Sequence, residues 1–220
     1  MASKALCKNI KMFVFDVGGT IVSEGGVICS ALKNSIRNAG FRVSDNELKV
    51  MYKKDKIDII YDFVEDMNET KRIYSEYKRE LKERYLAGEG LTLIDGVEDL
   101  FTELKNMNIN VCLNSNYDRE IVEHVIFKSK LEWLVDDYVG KDDVIRGKPW
   151  PYMISMLMYR KGIESPKQVV KVGDTVMDIY AGKNAGTSQQ IGVLSGMDDY
   201  YSLREAKATR IIDSLDKLIV

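Results

Sequence analysis

The chain has 220 residues, of which 45% are apolar and 30% are charged, and its 32 basic and 34 acidic side chains give a net charge of −2. This length fits one large domain or a core with a smaller inserted domain, and the charge balance lacks the basic excess typical of nucleic-acid-binding proteins. No apolar run reaches the roughly 18 residues of a membrane span, and residues 1–11 have no apolar segment of signal-peptide length. The three cysteines are an odd number at no metal-like spacing, so they are predicted to be free thiols. Together these features favour a protein of the reducing cytoplasm.

The predicted elements fall into three zones along the chain. A short apolar strand, 12–15, leads directly into Asp16 and a glycine-containing loop. Residues 25–86 then show helical spacing of apolar residues, and no strand-like run. From residue 91 on, strands alternate with helices, which is typical of a parallel sheet with helices on both faces. The helices predicted are 27–39, one around 57–64, 74–86, 97–107, 119–127, 151–161 and 177–184, and the later strands are 109–113, 169–172, 190–194 and a short one at 211–212.

This order of elements predicts an α/β fold with a Rossmann-like parallel sheet and an inserted helical domain. Because the first strand precedes the helical zone and its sheet partners follow it, we expect a core of residues 1–23 and 90–220 and a helical insertion of residues 24–89. Glycines, which suit hinges, mark both crossings between the two parts. Open α/β sheets bind ligands at the carboxyl ends of their strands, so the site is predicted at that edge.

Four positions along the predicted sheet edge carry side chains suited to phosphoryl chemistry: a carboxylate, a hydroxyl, a cation and a pair of carboxylates. Carboxylates, together with water and a phosphate oxygen, are ligands that Mg²⁺ prefers. Each of these residues alone is more often structural, but their coincidence predicts a phosphoryl-transfer site. In chain order they are Asp16, Ser115, Lys148, and Asp174 with Asp178.

The motifs around these residues resemble the four motifs of the haloacid dehalogenase-like hydrolase superfamily: FDVGGT at 15–20, Ser115-Asn116, Lys148, and GDTVMD at 173–178. The helical zone lies where that superfamily places its first type of cap. The resemblance implies that Asp16 is the nucleophile of an aspartyl-phosphate mechanism and that Ser115 and Lys148 hold the phosphoryl group. It also implies a Mg²⁺ site and several substrate contacts. The implied metal ligands are Asp16, Asp174, the Gly18 carbonyl and Asp178, and the implied substrate-binding residues are Gly19, Thr20, Asn116 and Tyr117.

Position 18 constrains the chemistry. Many members of the superfamily carry a second aspartate there as general acid/base, a contribution commonly worth about 10² to 10⁴ in rate, and this chain has Gly18. A small residue at this place resembles the phosphonoacetaldehyde hydrolase, or phosphonatase, branch, as do the segments 116–120, 148–153 and 170–176. In that branch a cap lysine forms a Schiff base with the aldehyde, and the carbon–phosphorus bond breaks with the carbon leaving as an enamine.

Lys56 is the predicted Schiff-base lysine, because Lys56-Ile57-Asp58 resembles the phosphonatase pattern on a cap helix. The neighbouring cations Lys53 and Lys54 would lower its pKa. The alternative interpretation is an exposed basic helix end. Phosphonatases also carry a histidine three residues after this lysine, where this chain has Ile59, and its single histidine, His124, is predicted to be a surface or packing residue.

The sequence therefore predicts a Mg²⁺-dependent hydrolase of a small cytoplasmic phosphonate or phosphate metabolite, with no nucleic-acid or membrane partner. Tyrosines of the helical insertion are by default residues of solvated helix faces, and the alternatives are a homodimer contact through the cap or the lining of a cleft. Two alternative functions also stay open. One is a phosphomonoesterase that replaces the acid missing at Gly18 by other means, and the other is a weakly active phosphate-binding protein.

Overall fold

The strands of the chain form a six-stranded parallel sheet and a two-stranded ribbon in the computed structural model, which describes residues 9–51 and 56–218. Cys7, Lys53 and Lys54 lie outside the described residues. The sheet order is β5-β4-β1-β6-β7-β8. The strands are β1 (Met12–Phe15), β2 (Val22–Ser23), β3 (Thr92–Leu93), β4 (Asn110–Asn114), β5 (Asp137–Val139), β6 (Val169–Gly173), β7 (Gln189–Val193) and β8 (Arg210–Ile212).

Helices follow most of these strands, so the α/β parallel-sheet prediction is confirmed. The predicted helix at 74–86 begins earlier, at Met67, where Asp66 caps it by accepting the Glu69 N–H at 2.8 Å. The helices are α1 (Val27–Asn38), α2 (Asp45–Met51), α3 (Lys56–Val64), α4 (Met67–Leu86), α5 (Val97–Asn106), α6 (Arg119–Lys128), α7 (Tyr152–Arg160), α8 (Val176–Ala185) and α9 (Tyr200–Glu205), with short 3₁₀ turns at Lys141–Asp143, Pro166–Gln168 and Leu215–Lys217.

The chain divides into two compact units, residues 1–23 with 92–220 and residues 24–91. The first unit holds the sheet, and within it β2 pairs antiparallel with β3, so that the two chain segments bordering the second unit are hydrogen-bonded to each other. The second unit is helical, with α4 packed against both α1 and α3. None of the helices in the described ranges combines the length and apolar character that crossing a bilayer requires.

The core of the first unit covers both faces of the sheet, which explains why its central strands are almost continuously apolar. On one face, β1 and β4 residues pack with α7, and on the other the Phe15 ring packs at a tilt against Phe101 of α5, with a centroid distance of 4.9 Å. Lys171, in the middle of the buried strand β6, breaks this apolar pattern.

Candidate active site

The structure brings three buried carboxylates together at the carboxyl edge of the sheet. Asp16 follows β1, Asp174 follows β6, and Asp178 lies in the first turn of α8. Strands β1 and β6 are parallel neighbours, with Phe15 opposite Val172, so their ends meet. One carboxylate oxygen of each residue lies within 4.8 Å of the others. Such a set of hard oxygen donors suits a hard divalent cation.

Lys148 joins two of these carboxylates. Its Nζ lies 2.7 Å from Asp16 Oδ1 and 2.9 Å from Asp178 Oδ1, and only 5% of its side chain is exposed. Its backbone N–H donates to Asn116 Oδ1 at 2.9 Å, and a Cβ on the preceding Gly147 would lie 2.3 Å from that same oxygen. Asn116 therefore fixes the loop that carries Lys148, and its proposed substrate contact stays a prediction.

Asp178 accepts hydrogen bonds on both of its carboxylate oxygens. Oδ1 accepts from Lys148 and from Lys171, each at 2.9 Å. Oδ2 accepts from the hydroxyl and the backbone N–H of Thr175, which closes a capping box at the start of α8. Two ammonium groups thus already lie against Oδ1, which favours a role in orienting the lysines over direct metal ligation.

Asp174 is held by the loops after β1 and β7. Its Oδ1 accepts from the Thr20 hydroxyl at 3.0 Å, and its Oδ2 accepts from the Met197 N–H at 2.8 Å. The hydroxyl of Thr20 therefore orients a carboxylate of the cluster. The Gly19 N–H donates to the Val22 carbonyl, so both residues serve the shape of this loop, and their proposed substrate contacts stay predictions.

Residues 195–198 form a site element that the sequence analysis missed. The Ser195 hydroxyl donates to the Gly19 carbonyl at 2.7 Å, and Asp198 Oδ2 accepts the first N–H of α8, from Val176, at 2.7 Å. A Cβ on Gly196 would lie 2.0 Å from Asp174 Oδ2, which no side chain tolerates. The loop therefore packs directly on the carboxylate cluster, and the glycine at 196, just after strand β7, was its signal in the sequence.

Ser115 lies at the end of β4, 2% exposed, with its N–H donated to the Val139 carbonyl at 3.1 Å. Its hydroxyl oxygen accepts the Tyr117 N–H at 3.1 Å, which leaves the hydroxyl proton for another acceptor. The preceding residue, Asn114, is fully buried, and within the described residues neither atom of its amide has a hydrogen-bond partner.

Burial and charge shift the pKa values of the cluster in opposite directions. Burial, followed by the charges of Asp16 and Asp178, raises the pKa of Asp174 to about 7. Burial and the charge of Asp178 also raise the pKa of Asp16. Burial opposes ionisation of Asp178 too, but Lys148 and Lys171 outweigh it and lower the pKa of that carboxyl.

The pKa values of the two lysines, Lys148 and Lys171, also shift in opposite directions. Burial acts to lower the pKa of Lys148, but Asp16 and Asp178 more than offset this effect and raise it. For Lys171 burial dominates and lowers the pKa, although Asp178 opposes it. Repulsion among the carboxylates is therefore only partly neutralised by the two lysines, and a bound cation would relieve it.

Two predicted determinants of the leaving-group chemistry belong to different units. Gly18, between Asp16 and Gly19, is partly exposed and lies in the first unit. Lys56 is the first residue of α3 in the second unit and is partly buried. Ile59, at the position of the phosphonatase histidine, is completely buried, so no titratable group occupies that place.

The model of the haloacid dehalogenase-like hydrolase family matches residues 13–191, and the chain belongs to this family of enzymes. Among curated relatives it is 29% identical over 214 residues to the phosphonoacetaldehyde hydrolase of Bacillus cytotoxicus, with 87% of this chain and 78% of that protein covered. It is 26% identical over 221 residues to the phosphonoacetaldehyde hydrolase of Latilactobacillus sakei, with 93% and 82% covered. A solved structure from Bacteroides fragilis, described as a haloacid dehalogenase-like hydrolase, superimposes with a TM-score of 0.83 at 22% identity and covers 96% of this chain and 100% of that one.

Proposed function

We propose that this protein is a Mg²⁺-dependent hydrolase that transfers the phosphoryl group of a small phosphonate or phosphate compound to Asp16 and then to water. The observation that carries the proposal is the ion pair of Lys148 with Asp16 beside Asp174, at the tips of paired parallel strands. The phosphonoacetaldehyde hydrolases among its relatives support a phosphonate as the substrate.

Asp16 and Asp174 are the proposed metal ligands, with the Gly18 carbonyl as a third. Their carboxylates fit Mg²⁺ because they are hard oxygen donors, and burial together with neighbouring carboxylate charge raises both pKa values. When bound, Mg²⁺ would neutralise charge on the oxygens of the phosphoryl group. Asp178, whose Oδ1 already faces the ammonium groups of Lys148 and Lys171, would hold Lys148 in place.

The chain's own groups then account for the phosphoryl transfer. A carboxylate oxygen of Asp16 attacks phosphorus, the bond to the leaving group breaks, and the phosphoryl group is carried as an acyl phosphate on Asp16. Lys148 stabilises the negative charge on the phosphoryl oxygens, and the Ser115 hydroxyl donates a hydrogen bond to one of them. Water then attacks the phosphorus, which releases inorganic phosphate and restores the Asp16 carboxylate.

Gly18 provides no proton for the leaving group, so the proposed substrate is one that needs none there. With an aldehyde that carries the phosphonate on its α-carbon, the Lys56 amine would condense with the carbonyl to a protonated imine and release water. The electron pair of the carbon–phosphorus bond would flow into that imine to give an enamine, which takes up a proton and is hydrolysed to the free aldehyde and Lys56.

A specific observation favours phosphomonoester hydrolysis as the second candidate. Ile59 is buried and apolar where phosphonatases carry a histidine, so the proton transfers of imine chemistry lack that group. A phosphomonoesterase would instead depend on water or on a leaving group of low basicity.

The test is Mg²⁺-dependent phosphate release from phosphonoacetaldehyde and from a panel of phosphomonoesters, with Lys56→Arg and Lys56→Met in parallel. A phosphonate hydrolase loses phosphonoacetaldehyde cleavage in both variants, because arginine keeps the charge but forms no imine. Retained cleavage in either variant would exclude the Schiff base. Activity confined to monoesters would establish the second candidate, and no release from any compound would favour a phosphate-binding protein.

A further inference from the structure

The second lysine of the site, Lys171, has no part in the reaction proposed above. It lies in the middle of β6, where every residue is buried, and its own side chain is completely buried. Lysine side chains are seldom buried unless the ammonium group is paired. Here Nζ lies 2.9 Å from Asp178 Oδ1 and donates to the Val172 carbonyl at 2.8 Å.

Lys171 and Lys148 meet on the same oxygen of Asp178. Thr175 holds the other oxygen. The Asp178 carboxylate is thereby fixed from the sheet side by Lys171 and from its own helix by Thr175. Its fixed Oδ1 is the point that directs Lys148, whose Nζ also contacts Asp16. Lys171 is therefore linked to the proposed nucleophile through Asp178 and Lys148.

The charge of Lys171 also bears on the carboxylate cluster as a whole. The cluster contains three carboxylates, and two ammonium groups lie against it. When all five groups are ionised, the site has one excess negative charge, and loss of the Lys171 charge would give it two. Because the site is buried, an added or removed charge acts strongly on a cation bound nearby.

We propose that Lys171 is a positioning residue that fixes Asp178 so that Lys148 faces Asp16, and that its charge limits how tightly the carboxylates hold a divalent cation. The inference rests on the proposed function, since it assigns a role in the same site. It makes two predictions of opposite sign, which a role in packing alone would not produce.

The test compares Lys171→Met and Lys171→Gln with the wild-type chain. Methionine fills a similar volume without charge, and glutamine keeps an N–H donor without charge. Mg²⁺ binding in the absence of substrate is measured by calorimetry, and kcat and KM are measured for whichever substrate the wild type hydrolyses. Lys161→Met is the matched control, because Lys161 donates to the Asp136 carbonyl at 2.6 Å, next to the start of β5 at the opposite edge of the sheet.

We expect both Lys171 variants to bind Mg²⁺ about tenfold more tightly and to lose about 10- to 100-fold in kcat because Lys148 is no longer held in register. The Lys161 variant should match the wild type in both measurements. Unchanged or weaker Mg²⁺ binding, or unchanged kcat, would overturn the inference. If the methionine variant fails to fold, the glutamine variant decides the question by the same criteria.

Failure of the inference is distinguishable from failure of the proposed function. A wild-type chain that hydrolyses no compound contradicts the proposed function, whereas its Mg²⁺ titration against the Lys171 variants still tests the effect of the charge. An active wild type whose Lys171 variants are equally active contradicts the inference alone.

Discussion

The Nζ of Lys148 lies 2.7 Å from Asp16 Oδ1, although the two residues are 132 positions apart in the sequence. The contact pairs a buried cation with the proposed nucleophile and keeps that carboxylate anchored before a substrate arrives. In the reaction, the same ammonium group would turn to the phosphoryl oxygens as charge builds on them. The ion pair therefore links the fold of the sheet edge to its chemistry.

Lys148→Met should lower kcat by about 10²- to 10³-fold, because the developing charge on the phosphoryl oxygens loses its cation. The protein should stay folded, which near-ultraviolet circular dichroism would check. Steady-state phosphate release measures the effect, with Lys161→Met as the control for loss of a lysine elsewhere. Turnover within twofold of the wild type would remove Lys148 from the mechanism.

Gly18→Asp should raise hydrolysis of unactivated phosphomonoesters, by up to about 10²-fold, because it supplies the acid that protonates a poor leaving group. The backbone permits the change, since Gly18 is not among the glycines at positive φ. Gly18→Asn, which has the same shape but cannot donate a carboxyl proton, is the matched control. If both variants left monoester activity unchanged, the missing acid would not be what limits that reaction.

Gly196→Ala should disturb the Asp174 carboxylate directly, because the added Cβ would lie 2.0 Å from Oδ2. We expect Mg²⁺ affinity to fall by at least about tenfold as that ligand is displaced, comparable to the loss of an outer-shell partner in other metal sites. Gly162→Ala is the control for backbone strain without a steric clash, because alanine is strained at the Gly162 φ of +62° but the added Cβ would meet no atom within 4 Å. Calorimetric titration with Mg²⁺ measures both, and equal affinities would show that the 195–198 loop does not shape the metal site.

Mg²⁺ binding should strengthen as the pH rises through about 7, because the pKa of Asp174 is raised to about 7 and a proton competes with the cation below it. Burial is the main cause of this shift, followed by the charges of Asp16 and Asp178. Titrations at about pH 5.5 and about pH 8.5 measure the effect. An affinity that does not change with pH would show that Asp174 is ionised at both values.

The raised pKa of Asp174 also affects the stability of the metal-free fold, which should fall with rising pH while Mg²⁺ affinity rises. The Asp174 carboxyl binds its proton more tightly in the folded chain than in the unfolded chain, where its pKa is 3.8. Its contribution therefore makes the fold less stable as the pH rises from about 4 to about 7. Added Mg²⁺ should restore the melting temperature mainly above pH 7, where the carboxylate is ionised.

Much of this arrangement is predictable from the sequence because the central strands are buried on both faces and appear as apolar runs. Asp16 and Asp174 come at the ends of two such strands. Because these strands are parallel, their carboxyl ends, and therefore the two carboxylates, are predicted to lie at the same edge of the sheet. Strand β5 was missed because Asp137–Val139 is too short to form a recognisable apolar run.

The sequence did not predict the part of the site formed by residues 195–198, because these residues act through backbone groups and small size and not through a reactive side chain. Met197 contributes a backbone N–H, and Gly196 contributes the absence of a side chain. Lys171 did leave a signal, since a lysine inside an apolar strand needs a buried partner. The identity of that partner, Asp178, depends on the packing of α8 against β6, which only the three-dimensional structure gives.

The most direct test of the account is to look for the phosphoryl group on Asp16 itself. The wild-type chain and Asp16→Asn are quenched in acid during turnover with Mg²⁺ and substrate, digested, and analysed by mass spectrometry. We expect the wild-type peptide containing Asp16 to gain the mass of one phosphoryl group, hydroxylamine to remove that group, and the Asn variant to show neither label nor turnover. Turnover in the Asn variant, or a label on another residue, would contradict the assignment of Asp16 as the nucleophile.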